Sequence, residues 1–283
     1  MVDTTRVRLT FLGTGTSTGV PAVGCPCEVC HSDDPKDKRL RASVLLEFGG
    51  RAVVVDTGSD FRQQALRVGL VRLDAVLFTH DHADHIFGLD DIRPFNFRTR
   101  QPIPCYADER TWTGLRRVYE YAFKPAHYGG LPQIEPHVVD GPFELFGLAI
   151  EPHYVIHGRL PVLAYRFGRG AYVTDCNEIP DATVQALQGL DVLVLDGLRF
   201  ADHPTHMTIP KALEYIDRIA PGRAYLRRAI ISLTLWPGSW PPSPGLAPCA
   251  ILICSTSALI RYSGVTPKRP LATCLMREFF SPW

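Results

Sequence analysis

Beyond His206 the sequence has no histidine, and beyond Leu226 it has one acidic residue, Glu278, in a stretch of 57 residues. Other absences bound the chain before any motif is read. No apolar run can span a bilayer: the longest near the end, "APCAILICSTSALI", is broken by Ser and Thr. The start, "MVDTTRVRLTF", lacks the apolar stretch of a secretory signal. A cytoplasmic protein with no membrane partner is therefore expected. In that compartment its eight cysteines read as metal ligands or free thiols, not as a disulfide framework. Charge of one sign is also missing. A formal net charge of +1 and no basic, aromatic-rich arm disfavour a nucleic-acid partner. No repeat of solenoid period occurs. What is present is an ordinary globular balance, 46 % hydrophobic and 21 % charged over 283 residues, long enough to bury a core unaided.

The composition breaks once. Residues up to Leu226 hold 28 of the 29 acidic side chains. The stretch from Arg227 to Trp283 carries six Lys and Arg, three of the four tryptophans and eight prolines, for a net charge of +5 against −4 before it. "WPGSWPPSPG" cannot be regular structure. The expected organisation is one main domain over 1–226 and an aberrant, Pro-rich, poorly ordered tail over 227–283. The tail reads as not selected with the body, as after a shifted reading frame.

Strand patterns occur at "RVRLTFL", "SVLLEF", "AVVVD", "DAVLF", "IPCYA", "LAIEPHYVI", "VLAYRF", "AYVTD" and "DVLVLD". Helical patterns occur at "DFRQQALRVG", "DERTWTGLRRVYEYA", "PDATVQALQGL" and "TIPKALEYIDRIA", the last two with proline in the first turn. Strands outnumber helices and alternate with them only in part. That pattern suits a mixed-sheet α+β architecture with helices outside.

Behind the strand-like "DAVLF" comes "THDHADH", with His80, His82, Asp84 and His85 as candidate ligands. Imidazoles and carboxylates crowded behind a buried strand are costly unless something binds them. His80 and His82 can bind one dication, and Asp84 and His85 can face a second; the donor set suits Zn²⁺ or Mn²⁺. Paired dications are an arrangement that hydrolyses phosphate esters. His157 after "YVI" and Asp175 after "AYVT" are plausible further ligands, Asp175 as a bridge. Asp56, after "AVVV", is expected to hold a ligand histidine by its second ring nitrogen. Arg93, soon after the metal loop, is a candidate for a substrate phosphate. "GCPCEVC" offers Cys25, Cys27 and Cys30, a structural zinc site lacking its fourth ligand. The glycines before it do not form a dinucleotide fingerprint, because "VPAVGCPC" cannot open a helix.

Taken with "FLGTGTS" and "VVVDTG", these residues resemble the metallo-β-lactamase superfamily over about residues 6 to 226, and more closely its phosphoribosyl cyclic phosphate phosphodiesterase branch. The resemblance implies an αββα four-layer sandwich with a metal pair at one edge of two facing sheets. It implies hydrolysis of a small phosphodiester through a metal-activated hydroxide, which Asp84 helps to orient, and it implies His206 in "THMTIP" as proton donor to the leaving oxygen. The implied cofactors are two dications, Zn or Mn, and one structural zinc.

In the resembled branch a T-H-x-x-H-D stretch follows a strand like "RAYL" and completes both metal sites. Here "RRAIISLTLW" follows, and both histidines are absent. Each site is then one ligand short, and activity is expected to be impaired. Other readings are a nuclease, a lactonase or thioester hydrolase of the same fold, a non-catalytic or cofactor-biosynthesis member that keeps the cysteine loop, and, third, a thiol relay. A homodimer is left open.

Overall fold

A computed structural model describes residues 6–124, 130–227, 250–253 and 259–261. Among these residues two seven-stranded sheets face each other. The first runs, in spatial order, β14 (Leu259–Arg261), β1 (Arg8–Gly13), β2 (Ser43–Phe48), β3 (Arg51–Val55), β4 (Ala75–Leu77), β5 (Ile103–Ala107) and β6 (Ile134–Val138). The second runs β13 (Ala250–Ile253), β12 (Arg223–Arg227), β11 (Val192–Asp196), β10 (Gly170–Tyr172), β9 (Leu160–Phe167), β8 (Leu148–His157) and β7 (Phe143–Leu145). Strands β3 to β6 are parallel, as are β10 to β13, while hairpin-like antiparallel pairs close the other flanks.

The period of two along each strand explains the layering. In β3, Val53 and Val55 point into the cluster between the sheets, with Leu46, Leu163, Tyr165 and Val194. Val54 points the other way, into a second cluster with Phe61, Ile86, Trp112 and Leu115. Both faces are apolar, so the strand reads as a continuous hydrophobic run. The outer face of the first sheet is covered by α2 (Phe61–Arg67), α3 (Ala83–Ile86), α4 (Arg93–Thr99), α5 (Glu109–Val118) and α6 (Glu120–Phe123). The second is covered by α7 (Asp181–Ala186) and α8 (Ile209–Ile219). The short α1 (Glu28–His31) belongs to the cysteine loop. The order helix, sheet, sheet, helix is the expected four-layer sandwich.

Local chemistry sets the helix ends. Asp108 accepts from Thr111 N at 2.8 Å to start α5, and Thr208 does the same for Lys211 N at 3.3 Å at α8. The apolar residues of α8, Ile209, Ala212, Leu213, Ile216 and Ile219, fall at helical spacing and all are buried.

The expected domain boundary at 226 cuts β12, which continues to Arg227. Two segments of the expected tail, 250–253 and 259–261, pair with β12 and β1. Apart from these segments and Arg227, that tail lies outside the described residues.

Two cross-sheet bonds lock the edge where polar residues gather. Tyr165 in β9 donates to the Phe78 carbonyl at 2.7 Å, and Leu163 N donates to Thr79 O at 2.9 Å. They hold the end of β4 in the first sheet against β9 in the second.

Candidate metal centre

Strands β3 and β4 of the first sheet and β8, β10, β11 and β12 of the second deliver polar side chains to one edge. Asp56 and Asp175 take left-handed backbone angles, φ 64° and φ 50°, a conformation that Asp tolerates better than most residues. At Asp56 this turn follows β3 directly. β10 ends at Tyr172, three residues earlier than "AYVTD" suggests, although Val173 N still donates to the Val194 carbonyl at 2.8 Å.

Asp56 organises the metal loop. Its carboxylate accepts from Thr79 N at 2.8 Å, from Thr79 Oγ1 at 2.9 Å and pairs with His85 Nδ1 at 2.7 Å. Thr79 gives its hydroxyl proton to Asp56, so its oxygen is left to accept from His80 Nδ1 at 2.9 Å. His157 Nδ1 meets Thr205 O at 2.7 Å. In all three rings Nδ1 is engaged, which leaves Nε2 as the ligand atom. Gly58 permits this packing: a Cβ there would lie 2.0 Å from the Asp84 carbonyl oxygen.

The donor atoms converge. His80, His82 and His157 form one group with ligand atoms within 4.8 Å of one another; His80, His85 and Asp175 form another, and His157, Asp175 and His206 a third. His85 Nε2 lies 3.2 Å from Asp175 Oδ2 and 3.3 Å from Asp84 Oδ2, about the spacing of vertices of a tetrahedron with bonds of about 2.0 Å. His80 Nε2 is buried without a hydrogen-bond partner, a costly state that a cation relieves. The donor set fits dications. Burial, and next the neighbouring His85, hold the His80 imidazole well below its ordinary pKa, so it is neutral and ready to ligate. Burial also lowers His157. Burial opposes a charge on His85 too, but Asp175, Asp56 and Asp84 together outweigh it and raise that ring well above its ordinary value.

His206 stands beside this group, its ring centroid 4.7 Å from that of His157. Its Nδ1 meets the buried Asp196 Oδ2 at 2.8 Å. His203 accepts from His206 N at 3.1 Å through its own Nδ1 and shapes the turn. Asp196 was not singled out in the sequence, although "DVLVLD" repeats the signature of Asp56 and Asp175: an apolar strand ending in Asp. Arg93 opens α4, with Nη2 2.5 Å from Asp90 Oδ2 and Nη1 on the Gly130 carbonyl at 3.2 Å.

The thiols of Cys25, Cys27 and Cys30 lie within 4.8 Å of one another. Cys30 Sγ accepts from Ala22 N at 3.3 Å. Hydrogen bonds from the Cys30 backbone, and then from the Cys25 thiol, lower the Cys27 pKa and favour the metal-binding thiolate. Zinc is expected to slow alkylation of all three thiols. Cys27→Ser should weaken zinc at least about tenfold and remove that protection; equal alkylation rates with and without zinc would point to plain surface thiols.

A family model described as the beta-lactamase superfamily domain matches residues 51–227. Together with the two-sheet sandwich and the histidine-rich edge, this places the chain in the metallo-β-lactamase superfamily. It is similar to the crystal structure of a diphosphatase from the PhnP family, at 39 % identity and TM-score 0.81, covering 91 % of this chain and 97 % of that one. It is 41 % identical over 220 residues to an octanoyltransferase of Porphyromonas gingivalis, covering 75 % of this chain and 44 % of that protein. It is 26 % identical over 156 residues to a ribonuclease Z of Methanosarcina acetivorans, covering 54 % and 41 %. The chain thus spans less than half the length of these curated relatives. No helix among the described residues is long and apolar enough to cross a membrane.

Proposed function

We propose that this chain is a metal-dependent hydrolase of small phosphodiesters, with a cyclic phosphate as the favoured substrate and with activity impaired by the lost C-terminal histidines. The observation that carries this reading is the convergence of His80, His82 and His157 with Asp84, His85 and Asp175 at one sheet edge. His80, His82 and His157 would hold one dication. Asp84, His85 and the shared Asp175 would hold another. The bound cations supply a water of lowered pKa and neutralise charge on the phosphoryl oxygens.

The protein's own residues do the rest. Asp84, 3.3 Å from His85 Nε2, would help to orient the attacking hydroxide. Asp196 holds the Nδ1 proton of His206, so Nε2 carries the exchangeable proton and can pass it to the leaving oxygen. Arg93 would have to give up Asp90 to reach a phosphate. The three cysteines would hold the structural zinc.

The test is a substrate panel with the Mn²⁺- and Zn²⁺-loaded chain: a ribose cyclic phosphate, bis-p-nitrophenyl phosphate, a diphosphate ester and a lactone. Phosphodiester turnover above lactone turnover is expected. His206→Ala and Asp196→Asn should lower kcat on the cyclic phosphate by about 10²-fold or more, yet barely touch bis-p-nitrophenyl phosphate, whose leaving group needs no proton. Turnover of the lactone alone would overturn the reading. A second reading, cleavage of a diphosphate, is favoured by the diphosphatase at 39 % identity and would show as preference for the diphosphate ester.

A further inference from the structure

Arg227 ends β12 beside the metal centre, in register with Asp196. Arginine is seldom fully buried, yet this side chain has no exposed surface. Its guanidinium lies 4.7 Å from the Tyr172 ring centroid. It donates from Nη1 to the Tyr172 hydroxyl and from Nη2 to Thr174 Oγ1. The same Nη2 stands 3.5 Å from Asp175 Oδ1, and Thr174 gives its hydroxyl proton to that oxygen.

The two oxygens of Asp175 therefore face different ways. Oδ1 is enclosed by a hydroxyl and a guanidinium. Oδ2 faces His85 Nε2 at 3.2 Å and His80 Nε2 at 3.9 Å. Asp175 is also the carboxylate common to two of the ligand groups. A guanidinium keeps its charge in protein interiors. Out of water, that charge acts on its neighbours with little screening. It attracts Asp175 and repels any dication that shares Asp175.

We propose that Arg227 is an internal cation of the centre: it neutralises Asp175 and weakens the second dication, so that one ion binds tightly and the next at least about tenfold more weakly. This rests on the metal-dependent reading above and adds to it a residue that sets how many ions are held. The lost histidines remove a ligand; Arg227 independently alters the charge that the second ion meets.

The experiment is Mn²⁺ binding by the full chain, followed by calorimetry and by electron paramagnetic resonance for coupled ion pairs. Mn²⁺ is chosen because thiolates such as the cysteine loop bind it poorly. The unaltered chain should take one tight Mn²⁺ with an uncoupled signal. Arg227→Gln keeps a hydrogen-bonding side chain without the charge, and should raise second-site affinity about tenfold or more and produce a coupled pair. Arg227→Met, which retains packing over Tyr172, serves if the glutamine variant fails to fold and should give the same gain. Arg227→Lys keeps the charge and should keep the second site weak. Two tight ions in the unaltered chain, or no gain in folded Arg227→Gln and Arg227→Met, would overturn this inference and leave the hydrolase reading standing. A chain that binds no Mn²⁺ or Zn²⁺ at the histidines would overturn both.

Discussion

Replacing His80 and His82 together by alanine should remove the tight dication and lower phosphodiester turnover by about 10³-fold or more. His80, His82 and His157 make up one ligand group, and the double change leaves His157 alone in it. The loss is one of chemistry more than of stability. His80 Nε2 is buried with no hydrogen-bond partner, so without metal the native ring already carries a desolvation cost that alanine relieves. The metal-free variant should consequently melt close to the metal-free parent. The difference appears on adding Mn²⁺ or Zn²⁺: a ligand that binds only the folded state raises its stability, and this rise should appear in the parent and vanish in the variant. Without a cation, water near the phosphate keeps its ordinary high pKa, and this is where the rate is lost. Turnover equal to the parent's would mean that hydrolysis does not run through these histidines.

The part of this centre written in the sequence is the part that lies close together along the chain. His80, His82, Asp84 and His85 follow one short strand, so their density alone argues for a cation. Asp56, His157 and Asp175 each follow an apolar run, and the structure brings all three to the same edge because those runs become strands that end there. The mixed sheets with helices outside were legible in the strand patterns, and the four-layer sandwich followed from the family resemblance; strands such as "AVVVD" are apolar on both faces, as a sheet between helices and a second sheet requires.

Asp196 and His206 are ten residues apart across a turn, and no periodicity announces their 2.8 Å contact. The short β7, "FEL", and β6, "IEPHV", carry too few apolar residues to stand out. Arg227 was hidden for another reason. In "RAYLR" both arginines look like exposed strand ends, and Arg223 is indeed exposed. Arg227 is buried because Tyr172, Thr174 and Asp175 arrive from a distant strand.

Asp56→Asn should leave the fold in place while cutting dication affinity about 10- to 100-fold. Asparagine is nearly isosteric and tolerates the positive φ of 64° at this position. The carboxylate accepts three donors: Thr79 N, Thr79 Oγ1 and His85 Nδ1. A carboxamide has one oxygen to accept and an NH₂ that can only donate. If the oxygen stays on Thr79 N, the NH₂ faces His85 Nδ1 and the Thr79 hydroxyl. His85 must then accept at Nδ1 and carry its proton on Nε2, the atom that points 3.2 Å from Asp175. That tautomer cannot ligate. The Thr79 hydroxyl, no longer donating to Asp56, can turn its proton toward His80 Nδ1 and push His80 into the same wrong tautomer. One buried carboxylate thus sets two ligand rings, and a single atom change should disable both. The stability cost should stay within about 1–3 kcal/mol, that of a mismatched buried hydrogen bond. Asp56→Ala should cost more stability, because it leaves the same donors with no partner at all. Metal titration, thermal melting and the nitrogen shifts of His80 and His85 read the outcome. Unchanged affinity with both rings still protonated at Nδ1 would show that Asp56 merely caps its turn.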